Sequence, residues 1–338
     1  MQNKNYGYPK TRMRRSRQFK WSRRLIAENN LSTNDLILPL FVMEGKNKIE
    51  PIISMPSVNR YSIDKLVDVA KIAKDLHIPL IAIFPVIDSK SKTENAEESF
   101  RNDNLICRAI SAIKEKVPGI GIMADVALDP YTSHGHDGIM NGNIIENDKT
   151  IDILIKQALN QIRAGADILA PSDMMDGRVL LIRESLEENG YSDALIMSYA
   201  AKYASAFYGP FRDAIKTKSS LKGSKKTYQM DFSNANEAIR EAELDIYEGA
   251  DMIMVKPGLP YLDIISKIKT QLKTPTFAYQ VSGEYSSLKA ASINGWLDFD
   301  EIMMETLICF KRAGADGILT YSAMEIAKKL LDGYKNGS

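Results

Sequence analysis

At 338 residues, 44% hydrophobic and 26% charged, the chain can bury a large core and has an ordinary globular balance. Its longest apolar run, Ile78–Ile87, holds two prolines and is too short to cross a bilayer, no signal-peptide core follows Met1, and Cys107 and Cys309 are too few for a disulfide framework or a cysteine-rich zinc site, so a cytoplasmic, reducing setting is expected. The formal net charge of +1 hides an asymmetry, because residues 1–24 carry nine basic side chains and no acidic one.

In chain order, residues 1–35 read as a basic arm. A nucleic-acid tail or a cleaved transit peptide would carry the same charge. The acidic remainder of the chain favours an arm that leaves its own globule and docks on another subunit, with neither nucleic acid nor membrane as partner. Residues 36–338 read as one domain. Apolar runs at 36–42, 80–86, 121–126, 167–172, 195–201, 251–256, 276–282 and 316–321 predict eight strands covered on both faces. Amphipathic stretches separate them, among them Ile63, Leu66, Val67, Ala70, Ile72 and Ala73, and a helix over 235–248 capped by Asn234 with Glu237 and stopped by Gly249. A Gly-Ala-Asp turn recurs before three of the strands, at Gly165, Gly249 and Gly314. No G-x-G-x-x-G follows a strand, which disfavours a dinucleotide-binding fold. The expected fold is α/β, a TIM (β/α)8 barrel with an extended N-terminal arm.

Barrel active sites lie at the C-terminal ends of the strands. Those ends present Phe84, Asp125, Ser172 with Asp173, Lys202, Lys256, Ser282 and Tyr321. Two lysines at the ends of apolar strands would be desolvated and would repel one another, which releases a neutral amine for attack on a carbonyl. Lysines without a chemical role belong instead in mid-helix or in loops. The segment 203–233 is long, polar and rich in Ser, Lys and Gly, and reads as a mobile lid. Its Arg212, Lys225 and Gln229 could hold a carboxylate, although basic loop residues are more often simply solvated.

Four motifs in order, 170–178, 198–212, 249–261 and 279–285, make the chain resemble the porphobilinogen synthase (5-aminolevulinate dehydratase) family from about Arg12 to the C-terminal helix. The resemblance implies a hydro-lyase of tetrapyrrole and heme biosynthesis that joins two 5-aminolevulinate molecules through Schiff bases. Lys256 would take the first substrate, with Ser282 and Tyr321 on its carboxylate. Lys202 would take the second, with Arg212, Lys225 and Gln229 as carboxylate binders. Phe84, Tyr208 and Phe211 would form walls, and Asp125 and Ser172 would lie near the amino groups. The family also implies an octamer of four arm-exchanged dimers, with a hexamer as the alternative.

In the zinc-dependent branch, cysteines stand where this chain has Ala127, Asp129 and Asp137. Two carboxylates and an alanine suit a hard cation or none, so no zinc is expected and the magnesium- or potassium-responsive branch is the better likeness. Asp129 and Asp137 would hold either a weak active-site cation such as K+ or solvent and the substrate amine. His134 and His136 read as orienting or structural. Glu241 resembles the family's remote allosteric Mg2+ site, held mostly through water. Two other readings were weighed. An aldolase-type barrel needs a phosphate loop that residues 281–285 scarcely offer, and a non-catalytic scaffold would not have kept both lysines.

Overall fold

Eight parallel strands close on themselves in a computed structural model whose described residues are 7–217, 221 and 223–333. They are β1 (Leu36–Met43), β2 (Leu80–Val86), β3 (Gly121–Val126), β4 (Ile168–Pro171), β5 (Leu195–Lys202), β6 (Met252–Lys256), β7 (Thr276–Tyr279) and β8 (Gly317–Leu319). Each pairs with its sequence neighbour, and β8 pairs back onto β1 through Leu36 opposite Ile318. The expected (β/α)8 barrel is therefore the observed fold. Strand ends at 167, 172, 251, 280–282, 316 and 320–321 fall just outside the ladder. Residues 1–6 of the expected arm, 218–220 and 222 of the expected lid, and 334–338 lie outside the described residues.

The strands are apolar throughout because side chains fill the barrel on one face and helices cover the other. Every residue of β1 and β2 is buried. The helix over Ile63–Asp75 buries Leu66, Val67, Val69, Ala70 and Ala73, but Ile72 turns outward. The predicted helix at 235–248 spans Asn236–Tyr247, and its cap differs from expectation. Asn234 does not accept a backbone N–H there; its amide donates to the Glu237 carboxylate at 2.7 Å. The predicted lid is only partly irregular, since it holds a short helix, Gly209–Ala214, and two 3-10 turns. Arg60 pins that helix by donating to the carbonyls of Ala214 (2.6 Å) and Asp213 (2.7 Å), and Glu50 holds the same guanidinium at 2.7 Å.

The Gly-Ala-Asp turns form one device used three times at the N-terminal face. Gly165, Gly249 and Gly314 have φ of 107°, 104° and 104°, which only glycine adopts without strain. In each case the aspartate acts as a false ladder partner for a residue of the preceding strand. Asp167 donates its N–H to the carbonyl of Ile122 and accepts that residue's N–H on its carboxylate at 2.8 Å. Asp251 does the same to Ile196, and Asp316 to Thr276, each at 2.7 Å. A cation from the helix that leads into that preceding strand completes each carboxylate: Lys114 at 2.6 Å, Arg183 at 2.8 Å and Lys269 at 2.6 Å. The alkyl stem of that cation lies over the glycine, so a Cβ on Gly249 would stand 2.9 Å from Arg183 Cγ.

Gly249→Ala therefore combines a forbidden φ with a steric clash. It should lower unfolding stability by about 1–3 kcal/mol, read as an earlier denaturant midpoint. An unchanged midpoint would show that the turn tolerates a side chain.

Candidate active site

Register brings the two lysines together. On adjacent parallel strands, Lys202 of β5 lies directly opposite Lys256 of β6. Strict alternation would not aim both inward. Ser198 points outward to Asp245 on the Asn236–Tyr247 helix at 2.5 Å, so Lys202, four residues on, should follow it. The pairing instead steps from Ile253–Ser198 to Val255–Ala201, one extra residue on β5. This bulge reverses the alternation and turns Lys202 into the barrel mouth.

The two amines meet different surroundings, though both residues are about one-twentieth exposed, at 5% and 6%. Lys202 Nζ donates to the carbonyl of Ser172 and lies 3.4 Å from Asp137. Lys256 Nζ faces four rings, with centroids at 4.6 Å (Tyr279), 5.0 Å (Tyr199), 5.2 Å (Phe211) and 5.5 Å (Tyr208). Burial first, and the Lys202 charge second, push the Lys256 ammonium down from 10.5 to about 7, against the pull of Asp125, Asp129 and Asp137. That displacement corresponds to roughly 5 kcal/mol against the charged form. A cation–π contact returns only about 0.5–2 kcal/mol, so desolvation wins.

The carboxylates divide likewise. Burial raises Asp125 to about 6 despite both lysines and a hydrogen bond from Ser172. Burial would raise Asp137 too, but Lys202, Lys225 and Tyr228 outweigh it and hold the acid well below the usual range. Lys225, brought in by the lid, bridges Asp137 at 2.7 Å and Asp129 at 3.1 Å. His136 Nδ1 lies 3.0 Å from the Tyr228 hydroxyl, which donates to Asp137, and His134 Nε2 lies 3.3 Å from the Glu94 carbonyl.

The remaining expected residues surround this centre. Phe84 packs against Phe41, Phe211 and Tyr279. The Tyr208 hydroxyl donates to the carbonyl of Lys256 at 3.2 Å. Ser282 Oγ accepts the N–H of Phe211 at 2.9 Å, and the Tyr321 and Tyr279 hydroxyls are 2.8 Å apart. Arg212 is half-buried on the lid helix near Tyr208, with no ion partner among the described residues. Gln229 is buried and lines a cavity of about 560 Å³ together with Lys226 and Tyr228.

Glu241 is not part of this centre. It lines that cavity together with Asp176, Asp231 and Glu237, 3.8 Å from the buried Arg178. Burial and the neighbouring Asp245 raise it to about 7. Arg178 also reaches Asp173 and Asp245, both at 3.4 Å, and so joins the cavity to the residue after Ser172. Sequence reasoning missed Tyr199 and Tyr279 at Lys256, Tyr228 at Asp137, and Arg178. All four lie in or beside segments already singled out, but nothing in their spacing showed which way they point.

Residues 10–329 match the sequence profile of delta-aminolevulinic acid dehydratase. The chain belongs to that family. A relative called delta-aminolevulinic acid dehydratase in Bradyrhizobium diazoefficiens is 57% identical over 94% of this chain and 90% of its own length. One of the same name in Rhodobacter capsulatus is 51% identical over 95% and 97%. The crystal structure of the Toxoplasma gondii ME49 enzyme (porphobilinogen synthase), in complex with the reaction product porphobilinogen, superposes with a TM-score of 0.95 at 48% identity, over 99% of this chain and 96% of that one.

The lowered Lys256 has a direct consequence for reactivity. Imine formation between a simple keto acid and Lys256, trapped by borohydride, should rise with pH through about 7 and then level off, since only the neutral amine attacks. A midpoint near the ordinary lysine value would show that the ammonium is not desolvated.

Proposed function

We infer that the chain condenses two molecules of 5-aminolevulinate into porphobilinogen with loss of two waters, as a hydro-lyase of tetrapyrrole synthesis. The observation that carries this reading is the register pairing of Lys202 with Lys256 at a dry barrel mouth. Lys256, neutral near pH 7, attacks the ketone of the first substrate; a carbinolamine forms, loses water and becomes the Schiff base. Ser282 and Tyr321 would hold its carboxylate, and Phe84, Tyr208 and Phe211 would exclude water. Lys202 engages the second substrate, whose carboxylate is drawn by Arg212, Lys225 and Gln229. Asp125, held near the midpoint of its titration, can take up and release a proton close to both amines, with Ser172 as its hydrogen-bond donor.

Lys256→Ala and Lys202→Ala should each reduce turnover by roughly three orders of magnitude or more. Labelled 5-aminolevulinate reduced with borohydride should mark Lys256 in the wild type. Turnover near the wild-type rate in either variant would remove that lysine from the chemistry.

The donor chemistry separates two candidate cation positions. Asp129 and Asp137 are already bridged by the Lys225 ammonium, so a resident K+ does not fit beside the lid in this position. An ammonium, from Lys225 or from the substrate amine, suits the pair. Glu241 fits Mg2+ better. It lies in a roomy polar cavity with further carboxylates, which suits an ion that keeps its waters. When bound, the ion would neutralise carboxylates in the wall behind the lid. Glu241 would hold it mostly through water, with Asp176 and Glu237 on the same cavity wall. No zinc has a place in this reading.

The arm supports self-association into an octamer of four dimers, or a hexamer, in the cytoplasm, with no nucleic acid or membrane as partner. Within the arm, Phe19, Trp21 and Leu25 are exposed around the Lys20–Leu25 helix, and Phe19 stacks on Trp21. No helix among the described residues is long and apolar enough to cross a membrane. Light scattering and activity measured together should show the large assembly and Mg2+ stimulation in the full chain, loss of both on removing residues 1–24, and loss of stimulation alone in Glu241→Ala. A truncated chain that keeps the large assembly and full activity would show that the arm serves neither.

A further inference from the structure

One buried carboxylate has no part in the chemistry above. Glu284 stands in the first turn of the Ser282–Ile293 helix, 3% exposed. It accepts three backbone N–H groups: Leu259 at 2.6 Å, Val281 at 2.7 Å and Gly258 at 3.3 Å. Gly258 and Leu259 form the turn that follows Lys256, and Val281 precedes Ser282. One side chain therefore ties the end of β6 to the start of the helix that carries Ser282.

Close packing makes the tie rigid. A Cβ on Gly283 would stand 2.4 Å from the Phe207 carbonyl, and one on Gly258 would stand 2.4 Å from the Phe310 ring and 3.0 Å from the Tyr279 carbonyl. Neither glycine can therefore gain a side chain without moving the segments that Glu284 joins. We propose that Glu284 is a positioning residue that fixes the Lys256 amine relative to Ser282, so that one substrate can present its ketone to the first and its carboxylate to the second.

The clasp is also sensitive to protons. Burial pushes Glu284 up to about 7, against the pull of its three N–H donors. The titratable groups that face it are the phenols of Tyr208 and Tyr261, both raised above the usual tyrosine value and hence neutral here. Above about 7 the ionised carboxylate serves all three donors, whereas below it the protonated acid offers a poorer acceptor. Lys256 also loses its proton as pH rises, so both deprotonations favour capture.

The inference rests on Lys256 as the residue that captures the first substrate. The test is borohydride trapping of labelled 5-aminolevulinate on the full chain, with peptide mapping, over a pH series, in wild type, Glu284→Gln and Glu284→Asp. The wild type should place label on Lys256 and lose capture with two-proton steepness below pH 7. Glu284→Gln presents an amide NH2 to one of the N–H groups. It should keep the label on Lys256, need roughly 10- to 100-fold more substrate for half-saturation, and fall off with single-proton steepness. Should that variant not fold, Glu284→Asp decides: its shorter carboxylate should retain the two-proton fall-off and still raise half-saturation. Wild-type half-saturation in the folded variant overturns the positioning role while leaving the Lys256 reading intact. Label found elsewhere than on Lys256 in the wild type overturns both.

Discussion

Two amines held at one level on neighbouring strands, in a space without bulk water, is the constraint on which the rest of the site depends. Two ammonium groups cannot share such a space cheaply. The structure resolves the conflict by giving the amines unequal neighbours: a carbonyl and a carboxylate for Lys202, four aromatic rings for Lys256. One amine is thereby kept in a polar setting, and the charged form of the other is disfavoured. The extra residue in β5 makes this possible, because it changes which side chains of that strand face inward after Ser198.

The lid belongs to the same electrostatic system. Its helix is pinned at one end by Arg60 and Glu50, and Lys225 further along completes the charge of Asp129 and Asp137. The segment 226–231 then lies with one side toward the lysines and the other along the acidic cavity of Glu241. The buried Arg178 lies between Glu241 and Asp173. A buried guanidinium among carboxylates contributes little net stability against an apolar replacement, but removing one partner is costly, on the order of 3–5 kcal/mol. The arrangement therefore holds geometry more than it adds stability.

Much of this was legible in the sequence, and the gaps have common causes. The eight strands could be read because both faces of each are buried, so composition alone reports them. The lysines could be read because a cation ending an apolar run is conspicuous. The bulge could not, because it exists only in the pairing of two strands some fifty residues apart. Asn234 fails as a cap because the helix begins at Asn236 with Ala235 in the cap position, which leaves the Asn234 side chain one residue too early. The Gly-Ala-Asp turns were recognised as helix stops, yet the carboxylate's role needed Lys114, Arg183 and Lys269, which are remote in sequence. Glu241 was visible only through family likeness, since a glutamate on a helix is by default a solvated one. Glu284 sat inside a recognised motif without a role because its partners come from another loop.

The three Gly-Ala-Asp latches lie at the end of the barrel opposite the lysines, and Lys311 with Asp35 at 2.8 Å makes a comparable tie where the first strand begins. Closure of the cylinder and reactivity at its rim are thus governed by separate sets of side chains, a barrel's length apart. Substitutions at the two ends should combine almost independently, because groups so distant share no partners. Descendants of this chain can consequently alter the rim and the segment that covers it without renegotiating how the barrel is held shut.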